Sequence, residues 1–74
     1  MRSILKSVIS RDGKKKVVFF RRDDGRYGFE VFDWLDDDLG RTWNPHGYNG
    51  IFPDLETAER EARGSVEWLE EGSQ

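Results

Sequence analysis

The chain has 74 residues, with ten aromatic side chains, one histidine, no cysteine and a formal net charge of −3. This length predicts one domain, residues 1–74, whose own core supplies only about 3–5 kcal/mol, and the lack of cysteine excludes disulfides, thiol chemistry and zinc fingers. No apolar run is long enough for a membrane helix and the first ten residues lack the pattern of a signal peptide, so we expect a cytoplasmic protein.

Three strands joined by two tight turns are predicted in the first half of the sequence. Residues 3–10, 14–22 and 26–35 are rich in β-branched and aromatic side chains, and each break between them ends in an Asp-Gly pair, at Gly13 and at Gly25. Such breaks are typical of β-hairpins, because glycine adopts a positive φ without strain. The pattern therefore predicts an antiparallel meander.

The next segment, residues 36–50, contains three successive aspartates, three glycines and one proline. We interpret it as a loop, because these residues favour turns and weaken strands. The pattern also allows a short fourth strand within this region, either at residues 41–43 or at residues 48–52, and does not decide between them.

A helix is predicted over residues 54–71. Asp54 is a favourable N-cap, and Gly64 inside the helix costs about 1 kcal/mol relative to alanine. The apolar residues fall on one stripe at helical spacing: Leu55, Ala58, Ala62, Val66 and Leu69. The element order β-β-β(-β)-α predicts an α+β fold, in which a three- to four-stranded antiparallel sheet packs one C-terminal helix on one face.

Every predicted strand has apolar side chains on both faces of the sheet. Strand alternation places Phe19 and Phe20 on opposite faces, and Ile4 and Val8 on the same face. Since one helix covers only one face, the second face is buried by another subunit, is covered by residues 36–50, or binds a flat ligand such as a nucleobase. We favour association with another subunit, through the sheet face or a sheet edge, because so short a chain often needs oligomerisation for stability.

The expected function is that of a non-catalytic protein–protein interaction module that self-associates as a homodimer. Large aromatic residues on the uncovered face or at the helix margin are the usual anchors of such an interface. The candidates are Phe20, Phe32, Trp34 and Trp68.

Nucleic-acid binding is the alternative function, because positive charge is concentrated near the N-terminus. Residues 1–27 hold nine of the twelve Lys and Arg and only three acids, whereas residues 28–74 hold twelve of the fifteen acids. Basic residues beside aromatic strand residues can combine phosphate contacts with base stacking. The sequence pI of about 5.1 disfavours this function. The candidate contacts flank the apolar tetrad of the second strand: Lys14, Lys15, Lys16, Arg21 and Arg22.

No pattern in the sequence indicates an enzyme, a cofactor or a metal site. The three aspartates at residues 36–38 lack the ligand spacing of an EF-hand. His46 stands in an Asn-Pro-His-Gly sequence, and no spacing ties an acid to it. We interpret it as a histidine at the tip of a loop.

Overall fold

The computed structural model describes residues 2–70, which form one antiparallel sheet followed by two helices. The sheet has the order β1-β2-β3-β4, and α1 packs against β2, β3 and β4. The predicted α+β architecture is thereby confirmed. The elements are β1 Ser3–Ile9, β2 Lys15–Arg21, β3 Tyr27–Asp37, β4 Gly40–Phe52, α1 Leu55–Ser65 and α2 Glu67–Glu70.

The two predicted Asp-Gly turns are both present. Gly13 has a φ of 74° and Gly25 a φ of 87°, a region that side-chain-bearing residues rarely adopt. In the first turn the Ser10 hydroxyl donates to Asp12 Oδ1 at 2.6 Å, and the backbone N–H of Lys14 donates to the same oxygen at 3.0 Å. These hydrogen bonds, that from Ser10 first, lower the pKa of the Asp12 carboxyl below its ordinary value.

The interpretation of residues 36–50 as a loop is wrong. Strand β3 continues to Asp37, β4 begins at Gly40, and both segments proposed for a short fourth strand belong to β4. The turn between the strands is short because Gly40 adopts a φ of 139° and Asp37 Oδ1 accepts from the N–H of Leu39. Pro45 is tolerated because β4 is an edge strand, where a missing donor need not break a ladder.

The start of the helix is as predicted. Asp54 is the N-cap, and its side chain accepts a hydrogen bond from the backbone N–H of Thr57 at 2.7 Å. Hydrogen bonds from Thr57, first from its hydroxyl and then from its backbone N–H, hold the pKa of the Asp54 carboxyl below its ordinary value of 3.8. The cap satisfies a donor that the first helical turn leaves unpaired.

The single helix predicted over residues 54–71 is interrupted, and residue 71 lies outside the described residues. Val66 has extended dihedral angles, φ −116° and ψ 97°, and separates α1 from α2. Gly64 and Ser65, both weak helix formers, precede the interruption. The change of direction lets Trp68 and Leu69 both pack against the core, although a continuous helix would point them to different sides.

The core lies between α1 and one face of the sheet. Ala58 and Ala62 are fully buried, and their small side chains allow the helix backbone to approach the strands. Neither helix within residues 2–70 is long and apolar enough to cross a membrane. The core cluster comprises Val17, Phe19, Phe29, Val31, Ala58, Ala62 and Val66.

A β-bulge in β1 corrects one expected face assignment. The register shifts between Ile4 and Lys6, so that Ile4 pairs with Phe20 whereas Val8 pairs with Val17. Because the extra residue reverses the alternation, Ile4 and Val8 point to opposite faces of the sheet rather than to the same one. Val8 packs against the core below α1.

Candidate functional site

The sheet face turned away from α1, here called the open face, is partly covered by side chains of the same chain. Phe20 is fully buried at its centre. The Tyr48 ring stacks on Phe20 with a centroid distance of 5.5 Å, and the Arg2 guanidinium lies 4.5 Å from the Phe20 centroid. Arg2 also pairs with Glu30 at 2.6 Å. Phe20, predicted as an interface residue, therefore has no exposed surface for a partner to contact.

A second group of aromatic residues lies at the other end of the open face. Trp34 and Trp43 face each other across β3 and β4, with ring centroids 5.2 Å apart and ring planes inclined by 67°, an edge-to-face arrangement. Lys16 Nζ lies 4.5 Å from the Trp43 centroid and 5.0 Å from that of Phe32. The predicted interface residues Phe32 and Trp34 are thus half-buried in this group, while Trp68 packs against the core on the opposite face.

The basic residues proposed for nucleic-acid contact do not share one surface. Lys16 lies on the open face, while Lys15 and Arg21 alternate with it toward the helix side of β2. Lys15 approaches Asp33 at 3.5 Å, and Arg22 pairs with Asp24 at 3.1 Å while donating to the Gly50 carbonyl. Lys14 lies in the turn before β2.

Both edge strands of the sheet carry exposed apolar side chains: Ile51 of β4 is 65% exposed, and three such residues lie on β1. Ile4, Leu5 and Ile9 are 57%, 42% and 45% exposed. Lysine and arginine often protect such an edge, but here both nearby cations turn toward acids of the same chain. Arg2 pairs with Glu30 on the open face, and Lys6 pairs with Glu59 of α1.

The sequence predicted an interface through the sheet face or a sheet edge but did not single out β1, although one signal for this edge was present. The first strand of a meander pairs with only one neighbour unless the sheet closes, and it is therefore an edge strand. Which of its side chains stay exposed depends on the bulge at Leu5 and on the placement of α1, neither of which the strand pattern specifies.

His46 lies within β4 and contacts an acid, so its interpretation as a loop-tip residue is wrong. It is the extra residue of a bulge, because Val31 pairs with Gly47 and Phe32 pairs with Pro45. Its Nε2 lies 3.4 Å from Asp33 Oδ2, and Lys15 Nζ approaches the other oxygen of that carboxylate. Asp33 thus joins a basic residue of β2 to the histidine of β4.

The described residues contain no group of three or more His, Asp or Glu side chains placed to hold a metal ion. At the hairpin tip Asp36 pairs with Arg41 at 3.4 Å, and Asp37 accepts the Leu39 N–H. Comparison of the chain with protein-family models, with curated proteins and with solved structures finds no match.

Proposed function

We propose that this protein is a non-catalytic interaction module that self-associates by pairing β1 with β1 of a second copy. The observation that carries the proposal is the exposure of Ile4, Leu5 and Ile9 on an edge strand whose adjacent cations are already paired. An unprotected edge of this kind is a template for pairing with another chain.

A symmetric pairing is compatible with the charges along β1. The bulge at Leu5 leaves residues 6–9 as the regular part of the strand. A twofold axis at Ser7 places Lys6 of each copy opposite Val8 of the other and Leu5 near Ile9, whereas an axis at Lys6 would oppose two like charges. The resulting dimer has one eight-stranded sheet, with the helices of both copies on the same side of it.

The area available predicts a modest affinity. Buried apolar surface contributes about 25 cal/mol per Å², and association costs at least about 4 kcal/mol in lost freedom of motion. Only a few partly exposed side chains per copy contribute, so we expect a dimer with a dissociation constant in the micromolar range.

Two leucines provide a matched test of this interface. Leu5 lies on the proposed edge, and Leu39 is 97% exposed at the distant hairpin tip. We expect sedimentation velocity at tens of micromolar to show a dimer for the wild type and for Leu39→Lys, but a monomer for Leu5→Lys. The dimer should persist when the salt concentration is raised, because its contacts are apolar and hydrogen-bonded rather than ionic.

A wild-type protein that stays monomeric at these concentrations would refute self-association. If Leu39→Lys dissociates the dimer and Leu5→Lys does not, the copies associate through the hairpin tip rather than through β1. Circular dichroism and urea unfolding of each variant check that the monomer is folded.

A further inference from the structure

A cleft of about 500 Å³ opens on the helix side of the sheet, between β4 and the junction of α1 with α2. Its size lies within the range of small-molecule sites, about 300–1,000 Å³. Its floor is apolar, and its rim carries groups able to donate and accept hydrogen bonds. The residues that form its floor and walls include Phe29, Val31, Gly47, Asn49, Ser65 and Trp68.

The bulge at His46 creates the opening in the floor. If regular pairing continued from Pro45, His46 would stand opposite Val31; because of the bulge, Gly47 does. A Cβ at Gly47 would lie 3.6 Å from Val31, so a larger side chain there would fill the space above the floor. The same shift sets the imidazole of His46 beside Asp33. Bulges that redirect a side chain in this way are common beside binding sites.

One end of the cleft carries two nitrogen donors that are not tightly engaged. Lys15 Nζ and His46 Nε2 lie 3.5 and 3.4 Å from Asp33, and half of each side chain is exposed. Tight charge-assisted hydrogen bonds are about 2.7–2.9 Å long, so both donors can reorient toward a ligand oxygen. Both residues line the cleft.

From this arrangement we propose that the cleft binds a small free monocarboxylate with an apolar, ring-sized body. The carboxylate accepts hydrogen bonds from Lys15 Nζ and from a ring N–H of His46, and the apolar body covers Phe29 and Val31 beside Trp68. Asp33 and Glu67, the acids of the site, limit the ligand to a single negative charge, because a dianion such as a phosphate monoester would be repelled.

The shape of β4 favours a small molecule over a peptide strand. Its register with β3 shifts on both sides of the cleft, between Val31 and Phe32 and again between Tyr27 and Phe29. Pro45 removes a further donor near the first shift. Beside the cleft, between the two shifts, a peptide added to this edge would find only three consecutive regular positions, residues 47–49.

Three probes of similar shape test the charge preference: phenylacetate, its neutral isostere phenylacetamide, and phenethylamine. We expect phenylacetate at millimolar concentration to shift the amide signals of Gly47 and Asn49 and the indole N–H signal of Trp68 in ¹H–¹⁵N spectra, saturably. Phenylacetamide should bind at least about tenfold more weakly, because it lacks the charge-assisted hydrogen bonds. Phenethylamine should bind no better than the amide.

Adjacent lysines and two glycines supply matched variants. Lys15→Met should weaken phenylacetate binding toward that of phenylacetamide, since only the His46 donor remains, and should leave phenylacetamide unchanged, while Lys16→Met, on the open face, should change neither. Gly47→Ala should weaken both probes several-fold, and Gly64→Ala, whose added methyl has no neighbour within 4 Å, should not. Well-dispersed spectra show that each variant is folded.

Equal affinity for the three probes, or tighter binding of the amine, would overturn the proposal. So would the absence of saturable shifts with any probe up to tens of millimolar. Loss of binding in Lys16→Met but not in Lys15→Met would move the site to the aromatic group around Trp43 and reject the cleft. These outcomes are independent of the β1 interface, which lies at the other edge of the sheet.

Discussion

At the scale of single residues, Gly28 determines how closely β4 and Phe20 approach β3. A Cβ at Gly28 would overlap the backbone of Asn49 and Gly50 and would lie 2.8 Å from Cζ of Phe20. A flexible side chain can rotate away from such an overlap, but the backbone of a paired strand cannot. Gly28 is therefore required by close packing, in a strand where glycine would otherwise be unfavourable.

We predict that Gly28→Ala lowers the free energy of unfolding by about 1–3 kcal/mol, the usual cost of overpacking. Gly64→Ala is the control, because its methyl meets nothing and alanine is the better helix former by up to about 1 kcal/mol. Urea unfolding followed by circular dichroism measures both. Equal stability of Gly28→Ala and the wild type would show that β4 moves away at little cost.

At the scale of elements, the β3–β4 hairpin extends beyond the rest of the sheet. The last residue pair of β2 and β3 is Lys15 with Asp33, and just beyond it the Trp34 N–H donates to the carbonyl of Lys14, in the turn before β2, at 2.7 Å. Beyond it, residues 35–42 form a two-stranded arm with no third strand. Isolated two-stranded hairpins are marginal in water, so the Trp34–Trp43 pair at the base of the arm is its main stabilising contact.

We predict that Trp43→Ala loosens the arm without unfolding the core. An aromatic pair of this kind contributes about 0.5–1.5 kcal/mol beyond its buried area, so amide exchange in residues 35–42 should become up to about tenfold faster. The amides of Val17 and Phe19 in β2 should be unaffected. Leu39→Ala at the tip is the control and should leave exchange in the arm unchanged, because Leu39 is 97% exposed. Unchanged amide exchange in the arm of Trp43→Ala would show that the backbone hydrogen bonds between β3 and β4 are enough to hold the arm together.

At the scale of the whole molecule, the separation of charge along the chain becomes a set of contacts within the fold. The basic N-terminal half supplies Arg2, Lys6 and Lys15, and their partners Glu30, Glu59 and Asp33 come from the acidic half. Exposed ion pairs of this kind each contribute about 0–1 kcal/mol to the free energy of unfolding. They therefore change the electrostatic potential at the surface more than the stability. The basic residues are divided between both faces and no longer form one cationic surface.

We therefore predict weak nucleic-acid binding at most. Filter binding of single-stranded RNA at about 50 mM salt, where phosphate contacts are strong, should show no more retention than a control protein of similar pI. Replacing Arg21 and Arg22 by Gln should not change this result. Tight binding that weakens steeply with salt and is lost in that double variant would support the alternative function.

Much of the fold could be predicted because its signals are local. The β-branched and aromatic runs indicated the first three strands, the glycines after aspartate fixed both turns, and Asp54 marked the start of the helix. Strand β4 was missed because Gly, Pro and Asn weaken a strand signal, and here they are held by pairing with the apolar β3. The break at Val66 was missed because helical spacing continued through it.

The candidate sites could not be predicted in the same way, because they depend on pairing between residues that are far apart in the sequence. The sequence determined which residues are apolar, where the chain turns and which segments alternate, since these depend on neighbours within a few positions. Only the tertiary structure decided which side chains of β1 are exposed, that Phe20 is covered by Tyr48 and Arg2, and that His46 meets Asp33. Those contacts depend on register and on bulges, and one inserted residue redirects the side chains that follow it.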